Sequence, residues 1–271
     1  MAFLKKYTKE LLIAAAFLFT YVPTFAWMWD RWFVHDSYYS HGILIPFVTA
    51  YLIWLKREEL SKIPHEPSKW GIWLIVGGIA VHVLSSLLRV YFSSGFSMIL
   101  VLWGIILHFY GEKFFSKITF PVFFLFFMVP LPMVVIANVS FQMKIFAAQI
   151  AAFILNQMGL LAIREGSVIR MQHAYVTVDD VCSGLRSLIS LTALGSIFAY
   201  WMKADMLKKI VLFLSTIPIA IITNVCRIIF LSAVSEIWGP QNAVGFIHDF
   251  SGFMVFGIAF ILLFAVGKLL E

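Results

Sequence analysis

Three side chains in this sequence could perform acyl transfer together: the Cys182 thiol, the His248 imidazole and the Arg227 guanidinium. A cysteine attacks as its thiolate. A histidine takes up that proton and returns it to a leaving amine near neutral pH. An arginine, which does not deprotonate, is a fixed donor for an oxyanion or a carboxylate. Around the thiol, Asp179-Asp180-Val181-Cys182-Ser183-Gly184-Leu185-Arg186 predicts a helix capped by the aspartates. Cys182 then falls in the first turn, where unbonded N–H groups and the helix dipole favour a thiolate. Arg186, four residues on, shares that face and adds positive charge, while Asp179 and Asp180 oppose it. Ser183 and Gly184 are small enough to admit a substrate backbone. Asn224, three residues before Arg227, is placed to orient it or a substrate amide. Asp249 follows His248 and either supports the imidazole or points to water.

The elements that must position these groups follow from composition. Of 271 residues, 62% are apolar and only 13% charged, with 28 Phe and 9 Trp. A soluble domain carries about twice that charge, so the chain reads as an all-α, polytopic integral membrane protein. Two cysteines are too few for a disulfide scaffold. Eight apolar runs are proposed as spanning helices, at 11–28, 41–55, 70–88, 92–110, 118–137, 182–201, 210–232 and 248–266; the second is short, with His41-Gly42 at its start placed at the interface. Between the fifth and sixth lies a short amphipathic interfacial helix over 141–155, then an alternating stretch over 168–178 that reads as a small β-hairpin or flap. With no repeat or linker, a single domain over 1–271 is the economical organisation.

Thirteen of the twenty basic residues fall on one side of this arrangement, five on the other and two, Arg186 and Arg227, inside spans. That bias places both termini in the cytoplasm and accounts for the net charge of +6 without a nucleic-acid partner. Arg227 lies 17 residues past Ile210, about 26 Å along a helix that enters from inside. It therefore shares the outer leaflet with Cys182 and Arg186, which open the sixth run, and with His248 and Asp249, which open the eighth.

Blander readings stand beside this one. A lone membrane arginine often anchors to lipid phosphate, and a lone histidine often bridges helices. Cys226 sits in an apolar run as an inert hydrophobe, and a Cys182–Cys226 disulfide is a rival arrangement. Lys5, Lys6, Lys9 and Thr24-Phe25-Ala26 imitate a cleaved secretory signal. His35, His41, His82 and His108 differ in depth, so no metal centre is expected, and no cofactor; His65 and His173 read as loop residues.

The strings Tyr39-Ser40-His41-Gly42, Met128-Val129-Pro130-Leu131-Pro132, Val181-Cys182-Ser183-Gly184-Leu185-Arg186-Ser187, Asn224-Val225-Cys226-Arg227-Ile228 and His248-Asp249-Phe250-Ser251-Gly252 resemble the exosortase/archaeosortase family, over about 27–260. The resemblance implies an intramembrane cysteine transpeptidase. It would act on exported proteins bearing a C-terminal sorting tail: a short signature such as Pro-Glu-Pro, a hydrophobic helix and a basic cluster. It assigns Cys182 as nucleophile, Arg227 as essential arginine and His248 as catalytic histidine. Arg186 matches the second arginine of the cysteine motif, and His41 belongs to a supporting string. It further implies an active site at the outer face of the cytoplasmic membrane and an acceptor that is a lipid or other anchor. Two other classes remain open on the residues themselves: a carrier or flippase for an anionic solute, and a non-catalytic exopolysaccharide assembly protein.

Overall fold

The computed structural model describes residues 8–179, 183–243 and 245–271. The chain forms two compact units, Met1–Leu131 and Pro132–Glu271.

The first unit comprises α1 (Thr8–Thr20), α2 (Val22–Phe33), a 3-10 turn (Ser40–Ile43), α3 (Leu44–Leu55), the one-turn α4 (Arg57–Leu60), α5 (Trp70–Leu87), α6 (Tyr91–Tyr110), α7 (Glu112–Phe124) and a second 3-10 turn (Leu125–Met128). The run at 11–28 is not one straight helix. α1 and α2 meet at 62° about Tyr21, because Pro23 begins a new helix where its missing N–H costs nothing. The corner is held by polar bonds: Tyr21 Oη to Ser97 Oγ at 3.2 Å, Thr24 Oγ1 to Ser94 Oγ at 2.5 Å, and Ser94 Oγ to His82 Nδ1 at 2.8 Å. His82 is thus a satisfied packing residue. α5 and α6 approach backbone to backbone at Gly71 and Gly104, where a Cβ on either would collide with the opposite main chain.

Two short strings far apart in sequence meet in this unit. Trp32 Nε1 donates to the Met128 carbonyl at 2.9 Å, and the Leu131 N–H donates to Tyr39 Oη at 3.2 Å. Gly42 lies against the Trp32 ring with no room for a side chain.

The second unit comprises α8 (Met133–Gln157), strands β1 (Ile163–Glu165), β2 (Val168–Arg170) and β3 (Tyr175–Thr177), then α9 (Leu185–Trp201), α10 (Met206–Trp238), a 3-10 turn (Pro240–Asn242) and α11 (Phe246–Leu270). The expected span at 118–137 is broken. Helix α7 ends at Phe124, and Pro132 caps a new helix at φ −56°. Proline fits a helix start and not an interior, so the Pro130–Pro132 string separates two elements. In consequence the expected short interfacial helix at 141–155 is instead the latter part of a 25-residue helix. Its alanines Ala147, Ala148, Ala151 and Ala152 recur at helical spacing and pack in one core with Val225 and Ile228 of α10 and Ile169 and Val178 of the sheet region.

Within the alternating stretch 168–178, β2 and β3 pair as an antiparallel hairpin, and β1, which precedes that stretch, adds a third strand in the order β1-β2-β3. Asn156, near the end of α8, steers the chain into β1. Its amide donates to the carbonyls of Ala152 (2.9 Å) and Ala162 (2.7 Å) and accepts from the Ala162 N–H (3.0 Å). At the other side of the sheet, the Glu236 carboxylate on α10 accepts from the His173 N–H at 3.0 Å and from the Ala174 N–H, and contacts His173 Nδ1 at 2.9 Å. The turn between β2 and β3 is therefore pinned to the end of α10.

Among the described residues, five helices are long and apolar enough to cross a membrane: α5, α6, α8, α10 and α11; counting the bent α1–α2 pair gives six. Two apolar stretches are shorter, Ser40–Leu55 and Leu185–Trp201. Large apolar side chains such as Phe19, Trp73, Phe153 and Phe253 are exposed on helix surfaces, as a lipid environment requires.

Candidate active site

Helix α10 supplies Asn224 and Arg227, one turn apart and both buried, at 2% and 9% exposure. Helix α11 supplies His248 and Ser251 at the same one-turn spacing. Arg227 donates from Nε to Ser251 Oγ at 2.9 Å. From Nη2 it donates to His248 Nε2 at 3.1 Å and to the His248 carbonyl at 3.3 Å. Ser251 Oγ in turn donates to that carbonyl at 2.6 Å. A guanidinium has donors only, so His248 Nε2 accepts, and the neutral ring carries its proton on Nδ1. The expected meeting of Arg227 and His248 is observed. The guanidinium is turned into α11, which does not suit an arginine reaching out to lipid phosphate.

The third strand of the site is the start of α9. The helix begins at Leu185 rather than at 182, and its N-cap is Gly184 at φ +82°, ψ −4°. That left-handed conformation is open to glycine at little cost and to other residues only with strain. It also brings the Gly184 backbone onto Asn224: a Cβ at 184 would lie 2.8–3.0 Å from the Asn224 side chain. The expected aspartate cap is therefore corrected, since a helix cannot run through a left-handed residue. Arg186 is the second residue of α9, and Ser183 is fully buried with its hydroxyl accepting from the Leu185 N–H at 3.3 Å. Cys182 itself, with Asp180 and Val181, and the side chain of Asp249 lie outside the described residues.

His248 forms part of the wall of a cavity of about 260 Å³. The same cavity is lined by the run Tyr175 to Asp179 and by Ile228, Leu231 and Ser235 of α10. Ser235 is 1% exposed, and its hydroxyl has no hydrogen-bond partner among the described residues.

The remaining expected residues are accounted for separately. His41 sits in the first unit, in the 3-10 turn Ser40–Ile43, with its ring 6.0 Å from that of Tyr39. Cys226 is an exposed thiol of α10; its rival pairing with Cys182 falls on a residue outside the described ones. Ser251 stands in the string His248-Asp249-Phe250-Ser251-Gly252 without an assigned role, and its bond to Arg227 is new; the contact of Glu236 with His173, a residue expected only in a loop, carries no signal in the sequence.

A family model described as transmembrane exosortase matches residues 29–265, most of the chain. The chain belongs to the transmembrane exosortase family. No curated protein and no solved structure matches it. The region matched to the exosortase family takes in Gly184, Asn224, Arg227, His248 and Ser251.

Proposed function

We propose that this exosortase is a membrane-embedded cysteine transpeptidase that cleaves the C-terminal sorting tail of exported proteins and transfers them to an acceptor. The observation that carries the reading is the Arg227–His248 hydrogen bond of 3.1 Å, with His248 on the wall of the cavity. In this mechanism Cys182 is the nucleophile, Arg227 the oxyanion donor and His248 the proton carrier.

The geometry gives the sequence of events a physical order. At rest, Arg227 occupies the His248 Nε2 lone pair, the atom that must accept the thiol proton. A scissile carbonyl oxygen entering beside Arg227 competes for the same Nη2 donor. When that donor turns to the substrate, Nε2 is freed, and base and oxyanion donor become available together. The Cys182 sulfur then bonds to the carbonyl carbon, and its proton passes to Nε2. Collapse of the tetrahedral intermediate breaks the C–N bond, and His248 returns the proton to the departing amine. A thioester remains. An outside nucleophile, an amine-bearing lipid or other anchor, attacks it and regenerates the thiol.

A tail anchored with its basic cluster in the cytoplasm would present its signature at the outer interface of the cytoplasmic membrane, which is where the site is proposed to lie. The test is co-expression of the full chain with an exported reporter bearing a short signature, a hydrophobic helix and a basic cluster. Intact mass should show a truncated reporter with the parent protein and full-length reporter with Cys182→Ala, Arg227→Ala and His248→Ala, all three still inserting. Normal processing by Cys182→Ala would overturn the mechanism.

A further inference from the structure

Which side of β3 faces the cavity can be worked out from its bonds. The Val178 N–H donates to the Ser167 carbonyl at 2.9 Å, and the Met171 N–H to the Ala174 carbonyl at 2.8 Å. Val176 pairs with Ile169, between those two. In an antiparallel ladder the main-chain groups of alternate residues point to opposite sides. Ala174, Val176 and Val178 therefore face β2, whereas Tyr175 and Thr177 point their N–H and C=O groups away from it. β3 is the last strand of the sheet, so among the described residues that side is a free edge. The Thr177 carbonyl is already engaged by the Asp179 N–H at 3.1 Å, leaving the Tyr175 N–H and carbonyl and the Thr177 N–H.

The cavity runs along that edge. Side chains alternate between the two faces of a strand, so a space lying off one face would touch every second residue. This cavity touches Tyr175, Val176, Thr177, Val178 and Asp179 in unbroken succession, which requires it to lie beside the backbone. The cavity is also lined by His248 and by Ser235, whose buried hydroxyl has no partner among the described residues.

We infer that β3 is the substrate-docking edge: an extended peptide segment adds to it as a fourth antiparallel or parallel strand, held by the main-chain groups of Tyr175 and Thr177, with Ser235 available to a substrate carbonyl. Strand addition of this kind derives affinity from backbone bonds and specificity from the pockets that alternate side chains enter. A helical segment does not fit, since its main-chain groups are already paired within itself. A peptide entering this site must therefore be unwound on either side of the bond to be cut, and its contacts repeat every second residue. The cavity of about 260 Å³ has room for a short stretch of chain, not a folded domain. The Glu236 carboxylate contributes by pinning the turn before β3 to α10, the helix that carries Arg227, so the docking edge and the oxyanion donor are held on one support.

This inference rests on the transpeptidase reading for the identity of the peptide, and the experiment separates the two. The full chain in lipid nanodiscs is mixed with a synthetic peptide spanning the reporter's signature, and main-chain hydrogen exchange is read at Tyr175, Val176 and Thr177 alongside reporter cleavage. Edge pairing predicts slower exchange at Tyr175 and Thr177 and little change at Val176, already bonded to β2. Cleavage without that protection overturns edge docking and leaves the transpeptidase intact. Protection without cleavage supports edge docking and overturns the transpeptidase. Neither effect overturns both. As a second measurement, single N-methyl groups are placed along the peptide. Loss of one edge bond should cost up to about tenfold in binding, at alternate positions only; a pattern without that period of two sinks the inference even where a Thr177→Pro variant fails to fold.

Discussion

Arg227 and His248 are joined by a hydrogen bond in which the arginine donates to Nε2, 3.1 Å away, from a neighbouring helix. The bond ties the base to the oxyanion donor. It also makes the arginine's shape matter as much as its charge, because the same guanidinium reaches Ser251 from Nε at 2.9 Å.

Arg227→Lys is therefore expected to process the reporter no better than Arg227→Ala. A lysine ammonium is a point donor and cannot span Ser251 and His248 in one plane. Reporter truncation by intact mass, compared at equal membrane levels of each variant, is the check; substantial activity in the lysine variant would show that charge alone suffices.

Ser251→Ala removes the acceptor for Arg227 Nε and leaves a buried charge short of one bond. Hydrogen bonds to charged groups are worth about 1.5–3 kcal/mol, so processing should fall by about tenfold to a hundredfold. Ser251→Thr, which keeps the hydroxyl, should recover part of the loss. Initial rates with the same reporter decide this.

Gly184→Ala is expected to destabilise the second unit for two reasons. It forces a side chain into φ +82° and drives a Cβ to within 3.0 Å of Asn224. Left-handed strain and a clash of this kind cost on the order of 1–3 kcal/mol. Thermal unfolding in detergent should show a lowered midpoint. Adding Asn224→Ala removes the nearer Cγ and Nδ2 contacts but keeps the Cβ at 3.0 Å and the backbone strain, giving partial recovery in stability.

Glu236→Ala removes the acceptor for two main-chain N–H groups at the turn before β3. Exchange of the His173 and Ala174 amides should accelerate, while exchange within α9 stays as in the parent. Unchanged protection at both amides would show that the carboxylate is not what holds the turn.

How far the sequence reached depended on the range of the forces involved. Apolar runs and their charge flanks are local, so α5, α6, α10 and α11 were legible within a few residues. Counting depth along those runs placed Arg227 and His248 in one leaflet, and the two are hydrogen-bonded. Pro130 and Pro132 mark the end of the fifth span in the sequence, but the apolar run continues on both sides of them, so the helix end at Phe124 and the new start at Met133 carry no local signal beyond those prolines. Gly184 was read as small when its decisive property is its positive φ, which depends on Asn224 forty residues later. Glu236 holding the His173 turn is a contact across 63 positions. No periodicity or spacing reports such a pairing.

The length of α10 carries a last consequence. Its 33 residues make a rod of about 50 Å, against hydrocarbon of about 30 Å. Such a rod must lean or stand proud of the lipid, and its lean depends on bilayer thickness. Arg227 is fixed at the twenty-second position of that rod, so thickening or thinning the bilayer raises or lowers the guanidinium relative to the headgroups. Acyl-chain length in reconstituted membranes should then tune turnover without any change in the protein.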